Sequence, residues 1–248
     1  MSSWQALEDE VIKWTRPLTF WWRDDDAVAD SASLQQLLSV ARNYAVPVHL
    51  AVIPNRLDAS LAVLKQQENR DISYVLQHGV EHKSFALENQ RKIELGGSQD
   101  IEQLGQALSA GRERLQAMFT EQYVDILVPP WNRISTQVIE KLPAIGYRRL
   151  SVLGIRELQV TPPQLNVHID IINWREKVFA SEKVILSRLV AHLATKRTGA
   201  NDRDEPCGLM THHLDHDDEC WQFLALFFDF CQQHPGIQWV GGKALYKA

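Results

Sequence analysis

The sequence predicts an α/β fold built on a largely parallel sheet, and three observations carry that expectation. Short apolar runs rich in Val, Ile, Leu or Trp alternate with amphipathic stretches along 248 residues. Such alternation implies parallel strands joined by right-handed crossovers. Seven or eight units in this length point to a closed or nearly closed barrel, with an open doubly wound sheet as the other arrangement. Polar clusters also fall at the ends of the predicted strands, where both architectures place their ligands.

The first strand is Leu18 to Arg23. A helix follows from about Ser31 to Tyr44, capped by Ser31 or Ser33, with Leu34, Leu37, Leu38 and Ala41 on one face. Val46 to Pro54 is the second strand, with a helix near Ala59 to Gln67 behind it. The run ISYVLQH ends a third strand at His78, and a long helix from about Asp100 to Met118 comes after a polar connection. Asp125 to Pro129 is the fourth strand, followed by a helical Ser135 to Ile145. Arg149 to Leu153 and Val167 to Ile172 read as further strands, and a helix near Ser181 to Thr195 precedes a strand from Gly208 to His213. The chain closes with a helix over Asp218 to Gln233 and a strand over Ile237 to Val240.

Composition narrows the function classes. Lys and Arg number 26 against 31 Asp and Glu, a formal net charge of -5 that argues against broad capture of nucleic acid or an anionic membrane. No apolar run reaches the length of a bilayer span, and no basic segment leads into an apolar one near the start. Three cysteines, Cys207, Cys220 and Cys231, lack C-x-x-C spacing, so a reducing cytoplasmic setting is the simplest expectation. With no repeat or long Gly/Ser linker, residues 1–248 are expected to form a single catalytic domain. No feature specifies an oligomeric state.

Four strand ends run into polar or aromatic clusters: Arg23 to Asp26, His78 to His82, Pro129 to Arg133, and Thr211 to His213. A fifth, His168 to Trp174, mixes polar groups into an apolar run. The i, i+4 spacing of His78 and His82 places two imidazoles on one face of a helical turn, close enough to share a cation. Such a site needs a carboxylate as well, and the Asp cluster is the obvious donor. Neighbouring Asp side chains on an ideal strand point to opposite faces, so the backbone must turn there, and Asp26 can carry that turn in a left-handed conformation.

Taken in chain order, these clusters resemble the motifs of the NodB-type polysaccharide deacetylases, carbohydrate esterase family four. The T-F-D-D-G motif is similar to Phe20 through Asp26, with Asp24-Asp25 as the best register and Asp25/Asp26 as the second. H-[ST]-x-x-H resembles His78 through His82, with Gly79 for the Ser/Thr. R-x-x-P-Y matches at Pro130-Trp131, but Leu127 stands where Arg is expected. D-x-x-D-W resembles Asp170 to Trp174 with Asn173 for the second Asp, and L-x-H is approximated by Met210-Thr211-His212.

The resemblance implies a distorted (β/α) barrel of about seven strands and a metal-dependent removal of N- or O-acetyl groups from a carbohydrate or small intracellular substrate. Carried over by position, Asp25, His78 and His82 hold one divalent metal, zinc first, with iron, cobalt, nickel and manganese as alternatives. Asp24 is then the general base, His212 the general acid, and the Trp131 backbone N–H part of the oxyanion hole. Arg23 or Arg133 substitutes for the missing arginine. His213 competes with His212, and Trp131, Trp174, Asp170 and His213 are candidate substrate contacts.

Two further readings compete. His78-x-x-Glu81-His82 also spells the inverted zinc-peptidase motif, which needs a helix. A sugar-binding protein with a degenerate site is the other. His49 and His168 read as satisfied structural histidines, and Trp221 to Phe230 as a helix packed on the barrel.

Overall fold

Ten residues, Leu18–Ala27, form β1, the strand on which the sheet is built. The computed structural model describes residues 2–247. Helix α1 (Ser3–Val11) precedes β1, and the Ser2 hydroxyl caps it by accepting the Gln5 N–H. After β1 come α2 (Ala32–Tyr44), β2 (Val48–Val52), α3 (Gln67–Arg70), β3 (Ser73–His78), α4 (Ile101–Phe119) and β4 (Tyr123–Val128). Helices α5 (Thr136–Ile139) and α6 (Leu142–Ile145), then β5 (Arg149–Leu150), β6 (Ile169–Asp170), β7 (Ile172–Asn173) and β8 (Val178–Phe179), form the middle of the chain. The last elements are α7 (Glu182–Thr198), β9 (Cys207–Thr211), α8 (Asp218–Gln233) and β10 (Ile237–Trp239).

Seven parallel strands follow the order β5-β4-β3-β2-β1-β9-β6, and β10 lies parallel to the first residues of β1. The ring closes between β5 and β9 through the segment 164–168, which is too irregular to be a strand of its own. Leu165 and Val167 donate to the carbonyls of Leu150 and Val152, both at 2.9 Å, and His168 donates to Gly208 at 2.8 Å. This is the distorted barrel of about seven strands expected from the sequence.

Side chains of β1 alternate between two apolar layers. Trp21 packs in the barrel interior with Leu76, Ile126, Val128, Val167 and Met210. Phe20 and Trp22 pack outward, among Leu34, Leu38, Phe227 and Phe228 of the surrounding helices. Trp21 and Trp22 are both fully buried, so they are core and not sugar platforms. Each removes about 200 Å² from water, on the order of 5 kcal/mol of transfer free energy as an upper bound. The period of two continues along the strand, directing Arg23 and Asp25 inward and Asp24 outward.

Several elements differ from the sequence expectation. The segment near Ala59 to Gln67 is a run of tight 3-10 turns over Ala59–Lys65, not an α-helix. The stretch from Ser135 to Ile145 breaks into α5 and α6, with Pro143 in the first turn of the second because it lacks an N–H to continue the first. The strand expected over Val167 to Ile172 splits where the Asp170 carboxylate takes the Ile172 N–H at 3.0 Å, and β7 leaves to pair antiparallel with β8. Helix α8 buries Phe223, Leu224, Phe227 and Phe228, as expected. All three cysteines are buried and free. Among the described residues no helix is long and apolar enough to cross a membrane.

The barrel seam depends on Gly208. A Cβ there would sit 2.5 Å from Val167 Cα and 2.7 Å from Trp21 Nε1, whose own N–H donates to the Asn166 carbonyl. Gly208→Ala is expected to destabilise the protein by about 1–3 kcal/mol through overpacking. Gly236→Ala, where nothing lies within 4 Å of the added carbon, serves as the neutral control. Urea denaturation of both variants checks this.

Candidate metal centre and active site

The C-terminal end of β1 turns sharply. Asp26 adopts φ 71°, in the left-handed region, and the β1–β2 register shifts between Asp24 and Ala27. Asp tolerates this conformation because its short polar side chain bonds locally. With one residue inverted, Asp25 and Asp26 both face the barrel mouth, while Asp24 stays on the outer face.

His78 ends β3, and its Nδ1 lies 2.9 Å from the Val128 carbonyl, which fixes the proton there and leaves Nε2 toward the mouth. His82 sits at φ 59° and Gly79 at φ 53°. The two imidazoles are therefore presented by a strand end and a loop, not by the helical turn expected from their spacing. The inverted zinc-peptidase reading fails for the same reason, since residues 79–82 form no helix.

Asp26 Oδ1 lies 3.2 Å from His78 Nε2 and 3.3 Å from His82 Nε2, with no hydrogen-bond partner of another kind among the described residues. Ligand bonds of about 2.0–2.2 Å at tetrahedral or octahedral angles put neighbouring donor atoms about 3.0–3.5 Å apart. The set of Asp26, His78 and His82 thus fits a single divalent cation. Of the two sequence registers, Asp24-Asp25 places Asp25 there and Asp25/Asp26 places Asp26. It is Asp26 that faces the imidazoles, because only the inverted residue reaches across to β3.

Electrostatics agree with that set. Burial pushes the Asp26 carboxyl upward, but the hydrogen bond and charge of His78, with the charge of His82, hold it well below the usual carboxylate range. Burial opposes a charge on His78, yet Asp26 and Asp25 raise it overall. Burial and the neighbouring His78 lower His82. A cation entering this set displaces the His78 proton, so its affinity falls as the solution is acidified.

Asp25 is bound side-on by Arg23, with Nε 2.8 Å from Oδ1 and Nη2 2.9 Å from Oδ2. Arg23 is fully buried, and its remaining donors reach Ser151 Oγ and Asn132 Oδ1, both at 2.8 Å. Of the two arginines considered for the missing motif position, Arg23 makes the carboxylate pair. Arg133 turns aside to donate to the Lys92 carbonyl at 2.8 Å.

Asp24, expected as the base, is fully buried on the outer side of β1. It accepts from the Thr211 hydroxyl at 2.6 Å and the His213 N–H at 3.0 Å, and it pairs with His213 Nδ1. Outward orientation removes Asp24 from the reaction centre, and only 1% exposure removes His213 from substrate contact. His212 does face the mouth, with Nε2 3.9 Å from Asp25 Oδ2. Trp174, 44% exposed, presents its ring edge-on to His212 at 4.5 Å and donates its Nε1–H to Asp170 at 2.7 Å. Both Asp170 oxygens are engaged, by Trp174 and by the Ile172 N–H, so Asp170 positions Trp174 instead of reaching for substrate. Trp131, at φ 54°, packs 4.5 Å from the His82 ring on the opposite lip.

A second cluster, His168, His192 and Cys207, also brings three donor atoms together. His168 Nδ1 accepts the Gly208 N–H at 2.9 Å, which puts the ring proton on Nε2, facing Glu205 at 3.3 Å. A histidine with both nitrogens so committed is structural, as its sequence context implied. His49 likewise bridges the Trp22 carbonyl and the Gly242 N–H, and burial lowers it to about 4.

Sequence reasoning missed Glu94, Asn132 and Ser151. Glu94 is fully buried, and its carboxylate accepts the Val80 N–H at 3.1 Å and the Glu81 N–H at 2.7 Å. A Cβ on Gly79 would lie 2.0 Å from Glu94 Oε2, so glycine at this place in the second motif makes room for the acid that holds the loop. Fifteen residues of chain separate Glu94 from His78, and nothing local marks it.

No family model matches the chain, and no curated protein matches it in sequence. Solved structures do. A family 4 carbohydrate esterase of Streptococcus mutans superposes with TM-score 0.60 at 10% identity, over 96% of this chain and 90% of its own. One from Streptomyces lividans, in complex with acetate, gives 0.56 at 14% over 89% and 90%. A family 4 acetyl xylan esterase of Clostridium thermocellum, in complex with a cobalt ion, gives 0.53 at 13% over 90% and 87%. At these identities the likeness establishes the fold alone, an α/β barrel of the NodB type.

Glu94→Gln turns an amide toward the N–H groups of Val80 and Glu81. Zinc affinity, measured by calorimetry, is expected to fall about 10–100-fold while the fold persists.

Proposed function

We propose that the chain is a metal-dependent deacetylase that hydrolyses an N- or O-acetyl group on a sugar or another small substrate. One observation carries the reading. A carboxylate clamped by a buried arginine, Asp25, stands between a set of three donors fit for a cation and an imidazole on the far side, His212.

Acetyl transfer to water needs an activated nucleophile, charge stabilisation at the carbonyl oxygen, and a proton for the departing amine or alcohol. Asp26, His78 and His82 would hold one divalent ion, for which two imidazoles and a carboxylate make zinc the first choice. When bound, such an ion would supply Lewis acidity and lower the pKa of water toward neutrality. Asp25, oriented by Arg23 through the hydrogen bond from Nη2 and the close ion-pair contact of Nε, takes the proton of the attacking water. His212 faces Asp25 across 3.9 Å, too far for a direct bond, which leaves the two free to serve opposite sides of the scissile bond. Imidazole is the side chain suited to deliver a proton near neutrality. The N–H of Trp131 stabilises the oxyanion, and the exposed ring of Trp174 stacks on the sugar.

The non-catalytic reading rests on Leu127 at the arginine position and on Gly79 in the second motif, where glycine makes room for Glu94. Leu127 packs outward with Leu104 and Leu108, while Arg23 supplies the guanidinium from β1. The charge partner of the base is thus present from another strand, which favours catalysis.

Acetate release from a panel of acetylated sugars and aryl acetates by zinc-, cobalt- or nickel-loaded protein tests the reading. Asp25→Asn is expected to keep one equivalent of metal and lose about 10²–10⁴-fold in turnover. Asp26→Asn and His78→Ala are expected to lose the metal itself. Full activity in Asp25→Asn, or no acetate release by loaded wild-type protein across the panel, sinks it.

A further inference from the structure

Asp24 stands opposite Thr211 in the parallel register of β1 and β9. The Thr211 oxygen accepts from Trp22 Nε1 at 2.8 Å, which leaves its hydrogen for Asp24 Oδ2 at 2.6 Å. The same carboxylate oxygen takes the His213 N–H at 3.0 Å, and the other oxygen pairs with His213 Nδ1. All three donors come from the two residues flanking His212. His212 itself has few ties: its Nδ1 is buried without a hydrogen-bond partner, and Trp174 touches it only edge-on. The orientation of the His212 ring is therefore set mainly by the backbone on either side of it: Thr211 is held by the β1–β9 ladder, Trp22 and Asp24, and His213, beyond the ladder, is tied to β1 by Asp24.

We propose that Asp24 is a positioning residue, which clamps Thr211 and His213 on the outer face of β1 so that His212 between them points into the barrel mouth. The proposal rests on the reading of His212 as proton donor. It also makes adjacent carboxylates of one strand serve different ends: Asp25 faces the reaction, and Asp24 fixes the turn that delivers its counterpart.

Zinc-loaded Asp24→Asn is expected to keep one equivalent of metal and to lose about 10–100-fold in kcat with KM changed less than about twofold. In a His212→Ala background the same substitution is expected to cost less than about twofold, because it acts only through His212. A loss in the double variant equal to that in wild type overturns the proposal and makes Asp24 an independent participant. His213→Gln, which keeps an N–H donor, is expected to retain more activity than His213→Ala, and equal loss in the two counts against the clamp.

Crystal structures of the wild-type and Asp24→Asn proteins give an arm that needs no turnover. A His212 ring displaced by the substitution supports the clamp, and an unmoved ring overturns it. If loaded wild-type protein releases no acetate, the functional reading fails on its own while the structural arm still decides the role of Asp24. If Asp24→Asn does not fold, Thr211→Val, which deletes one of the three donors, carries the same kinetic and crystallographic comparison.

Discussion

One inverted residue governs the geometry of the mouth. β1 is a regular strand through Asp25, and its alternation would send Asp26 to the outer layer with Trp22 and Asp24. The left-handed conformation of Asp26 reverses that, at a cost of about 1–2 kcal/mol that a β-branched side chain would not tolerate so easily. The matching register shift against β2 absorbs the extra residue without breaking the ladder. Consecutive carboxylates then share a pocket that a straight strand would divide between two layers.

The same strand supplies the counterion. Arg23 and Asp25 are two residues apart, so both project inward, and the guanidinium reaches the carboxylate side-on. Burying such a pair is favourable only when every remaining donor is met. Ser151 from β5's C-terminal side and Asn132 from the turn after β4 meet them, which ties three strand ends to one cation. Position 127 has no access to this network because it lies on the outward face of β4. The physical requirement, a fixed positive charge behind a carboxylate, is met from a different strand.

Much of this was legible in the sequence, and the failures share a cause. The strand and helix alternation, the cap at Ser31, and the convergence of polar clusters at strand ends are readable from the sequence pattern and hold in the structure. The choice among Asp24, Asp25 and Asp26 did not follow. Strands of a closed parallel barrel are buried on both faces, so FWWRDDDA shows no polar alternation to tell inward from outward. The histidine spacing matched a helical turn by coincidence, since Gly79 and His82 take left-handed conformations, and Glu94 and Pro130 pack so closely on Gly79 that no side chain fits there. Glu94 and Ser151 are non-local partners for which a sequence read in windows carries no signal, and Asn132, inside the Pro129 to Arg133 cluster, gives no sign that its partner is Arg23.

The mouth of the barrel is made of loops, yet its side chains must be held as firmly as those of strands. Three buried acids outside the Asp26, His78 and His82 set meet that need: Asp24 for the turn after β9, Glu94 for the loop after β3, and Asp170 for the turn that carries Trp174. Each accepts at least one backbone N–H from its loop, a group that would otherwise lose its partner on burial. A carboxylate accepts several such donors at once, and hydrogen bonds to a charged acceptor are roughly twice as strong as neutral ones. Because a buried carboxylate left unmet is costly, each loop has one strongly preferred conformation, and irregular backbone acquires the fixity of a strand.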